Sequence, residues 1–214
     1  MLKGVIFDMD GVLVDSEEYI CEAAMKMFAE HGFKVKPEDF IPFVGTGEGR
    51  YIGGVAEKYG LPIDIEKDKA RIYEIYGEIV KGRLQPLPGV HDYIEECRAR
   101  GLKLALASSA DKIKVVTNLN EIGLPTETFD VVVCGKDVEK KKPDPQIFLM
   151  AASRLCLDPS ECLVVEDAVN GVAAAKAAGT RCLALTTSFT PDDLAAADWI
   201  APTLAQAPRE ALDW

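Results

Sequence analysis

Short apolar runs punctuate the chain, and from residue 84 onward each is followed by a longer stretch of helical periodicity. The runs are GVIFD (4–8), KLALAS (103–108), DVVVCG (130–135), CLVVED (162–167) and CLALTT (182–187). The intervening stretches, VHDYIEECRARG, KIKVVTNLNEIG, PQIFLMAASRLC and VNGVAAAKAAG, space their apolar residues as helices do. Gly101, Gly123 and Gly179 close three of them, the residue expected just past a helix C-terminus. Strands with unbroken apolar character, separated by helices, predict a mainly parallel sheet covered on both faces, the doubly wound α/β class.

Residues 16–83 interrupt that rhythm. SEEYICEAAMKMFAEHG reads as an amphipathic helix capped by Ser16, with acidic residues in its first turn. PEDF, EGRYIGGVAEKYG and DIEKDKARIYEIYGEIVKG continue as helices with no strand between them. The return, GRLQPLPGV, is rich in proline and glycine and ends where the strand–helix alternation resumes. The expected organisation is a Rossmann-like core of residues 1–15 and 84–214, carrying an all-α four-helix insertion over 16–83.

Composition narrows the partners. The 214 residues are 48% apolar and 28% charged, as in an ordinary globular chain with a real core. A formal net charge of −11 argues against a nucleic acid or anionic membrane partner, which would call for a basic face. No apolar run reaches the ~18 residues of a membrane span, and MLKGVIFDMD lacks the apolar core of a signal peptide. The six cysteines are dispersed with no C-x-x-C pair, as expected of reduced core residues in a cytoplasmic protein. His31 and His91 lie far apart with no second metal-type ligand at helical spacing and read as structural or surface residues.

Candidate chemistry gathers at the ends of the predicted strands, where doubly wound sheets bind ligands. Asp8 and Asp10 follow the first, Ser108 and Ser109 the second, Lys142 the third after a short loop, and Glu166 and Asp167 end the fourth. Four acids sharing a semi-buried crevice repel one another unless a cation sits among them. Oxygen ligands suit a hard divalent ion, Mg²⁺ being the abundant candidate. The remaining donors, Ser108, Lys142 and backbone N–H groups, suit a phosphoryl group bound to the same ion.

The set resembles the haloacid dehalogenase superfamily of phosphotransferases over nearly the whole chain. FDMDGVLVDSE fits that family's first motif, DxDGxxxDS; SSA at 108–110 resembles the second, Lys142 in KKKPDP the third, and VVEDAVNGVAAAKAAG the fourth. The resemblance implies a phosphomonoesterase in which Asp8 is the nucleophile and Asp10 the general acid and base. Asp8, Asp167 and the backbone carbonyl of Asp10 would hold Mg²⁺, with Glu166 orienting that set from behind. Ser108 and Lys142 would grip the phosphoryl oxygens. Gly11 would permit the tight turn after Asp10.

Other residues carry alternatives. Ser109 is either a helix N-cap or a second phosphate ligand, and Asp137 either a further acid of the site or a loop cap. Lys140 and Lys141 read as surface, and Gly171 as a close approach to the loop bearing Asp167. VGTGEGR (44–50) lacks the G-K-[ST] ending of a nucleotide-binding loop. Within the resemblance it would be the insertion's specificity loop, with Glu48 and Arg50 facing the substrate or forming a solvated turn. Glu17 and Glu18 are ambiguous, since a helix dipole alone favours them. A helical insertion at this place resembles the group of β-phosphoglucomutase and phosphoglycolate phosphatase. The mutase has a histidine where Ile20 stands, and lysine and arginine where Val44 and Glu48 stand. Hydrolysis of a small phosphorylated metabolite by a monomeric enzyme is therefore expected, with sugar phosphomutase or a non-catalytic binding module as alternatives.

Overall fold

The computed structural model describes residues 1–43 and 47–214, the Glu48 side chain excepted. Six strands, β1 (Gly4–Phe7), β2 (Lys103–Ala107), β3 (Val131–Val133), β4 (Cys162–Glu166), β5 (Arg181–Leu185) and β6 (Trp199–Ala201), form one sheet in the order β3-β2-β1-β4-β5-β6. Every pairing is parallel. Five strands match the sequence reading; β6 is a three-residue addition at the sheet edge. It follows the turn-rich TSFTPDDLAAAD, and three residues are too few to show periodicity.

Alternate residues of each strand face opposite apolar layers, as pleating requires. Val5 and Phe7 of β1 and Leu163 and Val165 of β4 look into one layer, with α4 (Val90–Ala99), α5 (Lys112–Glu121) and the helical segment above them. Ile6, Val164 and Ala184 look into the other, filled by α6 (Gln146–Arg154) and α7 (Val169–Ala178). Phe7 anchors the first layer, edge-on to Tyr93 at 6.2 Å and to Phe129 at 6.3 Å.

Between β1 and α4 the described residues form three α-helices, α1 (Glu17–Glu30), α2 (Glu48–Tyr59) and α3 (Ile65–Val80), with 3₁₀ turns at Pro37–Asp39 and Ile41–Phe43. The helix expected over PEDF is one such turn. Asp39 holds it by accepting from the Lys36 N–H, Lys58 and the Tyr59 hydroxyl. His31 pairs with Asp68 at 2.9 Å, a structural role as expected, and His91 is exposed. All six cysteines are free thiols.

Candidate active site

β1 and β4 are neighbours at the point where the strand order reverses, and their carboxyl ends open one crevice. Asp8 follows β1 directly, its N–H donating to the Val165 carbonyl of β4 at 2.9 Å. Glu166 ends β4 and Asp167 follows it. All three carboxylates are buried: Asp8 is 8% exposed, Glu166 1% and Asp167 5%.

Lys142 reaches this group from the loop between β3 and α6. Its ammonium donates to Asp8 Oδ1 at 2.6 Å and to Glu166 Oε1 at 2.5 Å, and rests over the Phe148 ring at 4.8 Å. The second Glu166 oxygen accepts from the Asp167 and Ala168 N–H groups, at 2.7 and 2.8 Å. Both Glu166 oxygens are thus taken up by Lys142 and by the backbone that carries Asp167. Asp167 Oδ2 accepts from the Ser188 hydroxyl. Among the described residues, Asp8 Oδ2 and Asp167 Oδ1 take no hydrogen bond.

The electrostatics follow from that count. Three buried carboxylates face one ammonium, a deficit of two positive charges. Burial pushes Asp8 up to about 7, with Glu166 adding to the rise and Lys142 opposing it. Burial, then Glu166 and Asp8, push Asp167 up to about 8. Burial works against the charged form of Lys142, yet Asp8 and Glu166 hold it protonated above the usual lysine range. A divalent cation with hard-oxygen preference fits both the charge deficit and the two open carboxylate oxygens. Among the described residues no three His, Cys, Asp or Glu side chains converge as a metal site. Two carboxylates and a backbone carbonyl make up the expected donor set, so the side chain of Asp10 is not needed in it.

Asp10 belongs to a second cluster. Its Oδ2 accepts from Lys114 of α5 at 2.9 Å, and its Oδ1 from the Ser16 hydroxyl. Ser16 occupies the N-cap position of α1 but makes no side-chain bond to that helix. The expected cap is therefore a ligand of Asp10 instead. Gly11 has a φ of +78°, and a Cβ there would lie 1.9 Å from Asp167 Oδ2. A Cβ at Gly171 would lie 1.8 Å from Glu166 Oε1, which explains both glycines.

Ser108 is buried at the end of β2, where its hydroxyl accepts from the Ala110 N–H at 3.1 Å. Ser109 is not a helix N-cap, because α5 starts one turn later and Asp111 occupies that position. Its carbonyl abuts Gly135. Asp137 accepts from the Cys134 N–H at 2.7 Å, the loop-capping alternative. Lys140 is exposed, while Lys141 turns back to the Gly135 carbonyl. Arg50 lies on α2 over the Phe43 ring at 5.1 Å, and donates to Glu57 at 2.7 Å. It lies on a helix rather than in a turn. Val44 and the Glu48 side chain lie outside the described residues.

Sequence reading missed Lys114, Ser188 and Thr187, whose hydroxyl donates to the Gly11 carbonyl at 2.5 Å. The KIKVV context shows Lys114 only as one lysine on an amphipathic helix. TTS after β5 was visible as a strand end bearing hydroxyls, the signal that could have found the other two. No helix among the described residues is long and apolar enough to cross a membrane.

Comparison with known proteins bears on this geometry. Residues 5–185 match the model of the haloacid dehalogenase-like hydrolase family. The chloroplast protein SUPPRESSOR OF QUENCHING 1 of Arabidopsis thaliana is 44% identical over 88% of this chain, which spans only 18% of that protein's length. The phosphorylated carbohydrates phosphatase of Thermotoga maritima is 36% identical, over 83% of this chain and 82% of its own. CbbY from Rhodobacter sphaeroides, in complex with phosphate, superposes with a TM-score of 0.91 over 100% of both chains at 28% identity. The same protein in complex with xylulose-1,5-bisphosphate gives 0.86 over 96% of both, also at 28%. A family match over most of the chain, on a sheet that brings Asp8, Lys142, Glu166 and Asp167 together, means that this chain belongs to the haloacid dehalogenase-like hydrolases.

Proposed function

We propose that this chain is a Mg²⁺-dependent phosphomonoesterase that hydrolyses a small phosphorylated metabolite, of the sugar phosphate class, through a phosphorylated Asp8. The observation that carries the reading is the buried Asp8 at the sheet's switch point, 2.6 Å from Lys142 and beside Asp167 with two charges uncompensated. The names of the similar proteins support the substrate class, one being a phosphorylated carbohydrates phosphatase and one holding a sugar bisphosphate.

Asp8 attacks phosphorus as the bond to the leaving alkoxide breaks, and Asp10 gives that oxygen its proton. In the second step a water oxygen attacks phosphorus, Asp10 takes the water's proton, and Asp8 leaves as carboxylate. Lys142 neutralises charge on the phosphoryl oxygens and on Asp8, and Ser108 with the backbone N–H groups after β2 orients them. Asp8, Asp167 and the backbone carbonyl of Asp10 would hold Mg²⁺, which would supply positive charge to the phosphoryl oxygens. Residues 16–83 act as a cap over the crevice, where α1–α3 exclude water and read the substrate's hydroxyls.

Hydrolysis is favoured over phosphomutase chemistry by Ile20. It is 3% exposed in the apolar layer of α1, where the mutase resemblance calls for histidine. The test is Mg²⁺-dependent release of inorganic phosphate from an aryl phosphate by the wild type and Asp8→Asn. Retained activity in the variant removes Asp8 as nucleophile. A panel of phosphorylated sugars, scored for phosphate release against isomerisation, separates hydrolase from mutase.

A further inference from the structure

Asp8 and Asp10 each have a lysine of their own, and only the partner of Asp8 belongs to a recognised motif. The partner of Asp10 is Lys114, on the first turn of α5. It is 4% exposed, and its ammonium donates to Asp10 Oδ2 at 2.9 Å. One helical turn further along the same face, Asn118 is fully buried. Its amide nitrogen lies 3.3 Å from the sulfur of Met9, and its oxygen accepts from the Tyr76 hydroxyl of α3 at 2.5 Å. The i, i+4 pair on α5 therefore abuts the loop running from Asp8 to Asp10, one member holding Asp10 and the other Met9.

Burying an ammonium is costly, and a chain that needs only packing does as well with an apolar side chain at such a place. Lys114 faces two carboxylates, Asp10 and Glu17, the latter in the first turn of α1. Burial raises the Glu17 carboxyl above its ordinary value, against the pull of Lys114. With Ser16 on Asp10 Oδ1 and Lys114 on Oδ2, both oxygens of Asp10 are engaged away from Asp8 and Asp167.

We propose that Lys114 is a positioning residue for the reaction: it holds the Asp10 carboxylate on the α1 side of the crevice, apart from the Asp8–Asp167 pair, in place to exchange a proton with the leaving oxygen. This rests on the phosphomonoesterase reading above, and it goes beyond the four motifs that carry that reading. Lys114 touches neither substrate nor the bond that breaks; it acts through Asp10.

Leaving-group dependence separates this role from a merely structural one. An alkyl phosphate expels an alkoxide that must be protonated, whereas 4-nitrophenyl phosphate expels a phenolate that leaves unaided. The value of kcat/KM reports the steps through formation of phosphorylated Asp8. General acid catalysis contributes roughly 10²–10⁴-fold. Lys114→Met should lower kcat/KM on the best alkyl substrate of the sugar phosphate panel by about 10- to 100-fold, and on 4-nitrophenyl phosphate by only a few-fold. Asp10→Asn, measured beside it, sets the full size of the discrimination. Mg²⁺ affinity, followed by calorimetry, should stay near the wild type in Lys114→Met.

If Asp10→Asn discriminates between the substrates and Lys114→Met lowers both alike, Lys114 is structural and the proposal is overturned. If Asp10→Asn itself fails to discriminate, Asp10 is not the acid, and both the proposal and that part of the phosphatase reading go. Should Lys114→Met not fold, Lys114→Arg carries the test, because it keeps the charge and displaces it. A preferential loss on the alkyl substrate supports the positioning role, and an equal loss on both overturns it.

Discussion

At the scale of single residues, the site is organised by charges that cannot be left alone. Lys142 is the sole ammonium among Asp8, Glu166 and Asp167 in the described residues, so removing it leaves buried acids uncompensated. Lys142→Met should abolish phosphate release. It should also destabilise the fold by roughly 3–5 kcal/mol, the usual result of breaking a buried ion pair from one side. The sign with pH is fixed: without the lysine these acids hold protons more tightly in the folded state than in the unfolded. Stability should therefore fall more steeply between pH 5 and 8 in the variant than in the wild type, as read by urea denaturation at several pH values. Gly11→Ala tests the backbone beside them. The residue would be strained at a φ of +78° and its Cβ would strike Asp167, so a loss of about 1–3 kcal/mol is expected, with loss of activity.

Elements decide which of these residues could be read in advance. Asp8, Lys142, Glu166 and Asp167 were legible because each sits at or soon after a strand whose apolar run is plain, and strand ends converge by the logic of the parallel sheet. Lys114 was not legible. Its burial depends on α5 lying against the Asp8–Asp10 loop, a contact that no periodicity announces. Ser16 stands where a cap belongs, and only the approach of Asp10 draws its hydroxyl away from α1. The fourth expected helix is a single 3₁₀ turn, since Pro37 and Asp39 favour a turn as readily as a helix start. The contact between α3 and α5 can be tested at this scale too. Tyr76→Phe removes the hydroxyl that donates to buried Asn118 and leaves that oxygen unsatisfied. Unfolding free energy should drop by about 1–3 kcal/mol, with the aryl phosphate still hydrolysed.

For the molecule as a whole, the raised carboxyls link stability to pH and to cation. Asp8 near 7 and Asp167 near 8 hold protons in the folded chain that the unfolded chain has released above about pH 4. Without divalent cation, stability should decline as pH rises from about 4 through 8. Mg²⁺ should restore it most at the alkaline end. A Tm rise of several degrees on adding Mg²⁺ at pH 8, shrinking at pH 5.5, is the expected result by calorimetry, at roughly 2–4 °C per kcal/mol for a chain of this size. An equal rise at both pH values would detach the cation from these carboxylates.

The sheet's margins have a consequence of a different kind. β3 and β6, its two outermost strands, are three residues each, and Pro202 follows β6 with no N–H to offer. A stranger's strand finds little ladder to extend on either side, and the net charge of −11 keeps like molecules apart. Concentrated solutions should stay free of cross-β assembly. Pro202→Val, which returns a donor and a β-former to that margin, should raise the rate of thioflavin-positive aggregation on prolonged incubation.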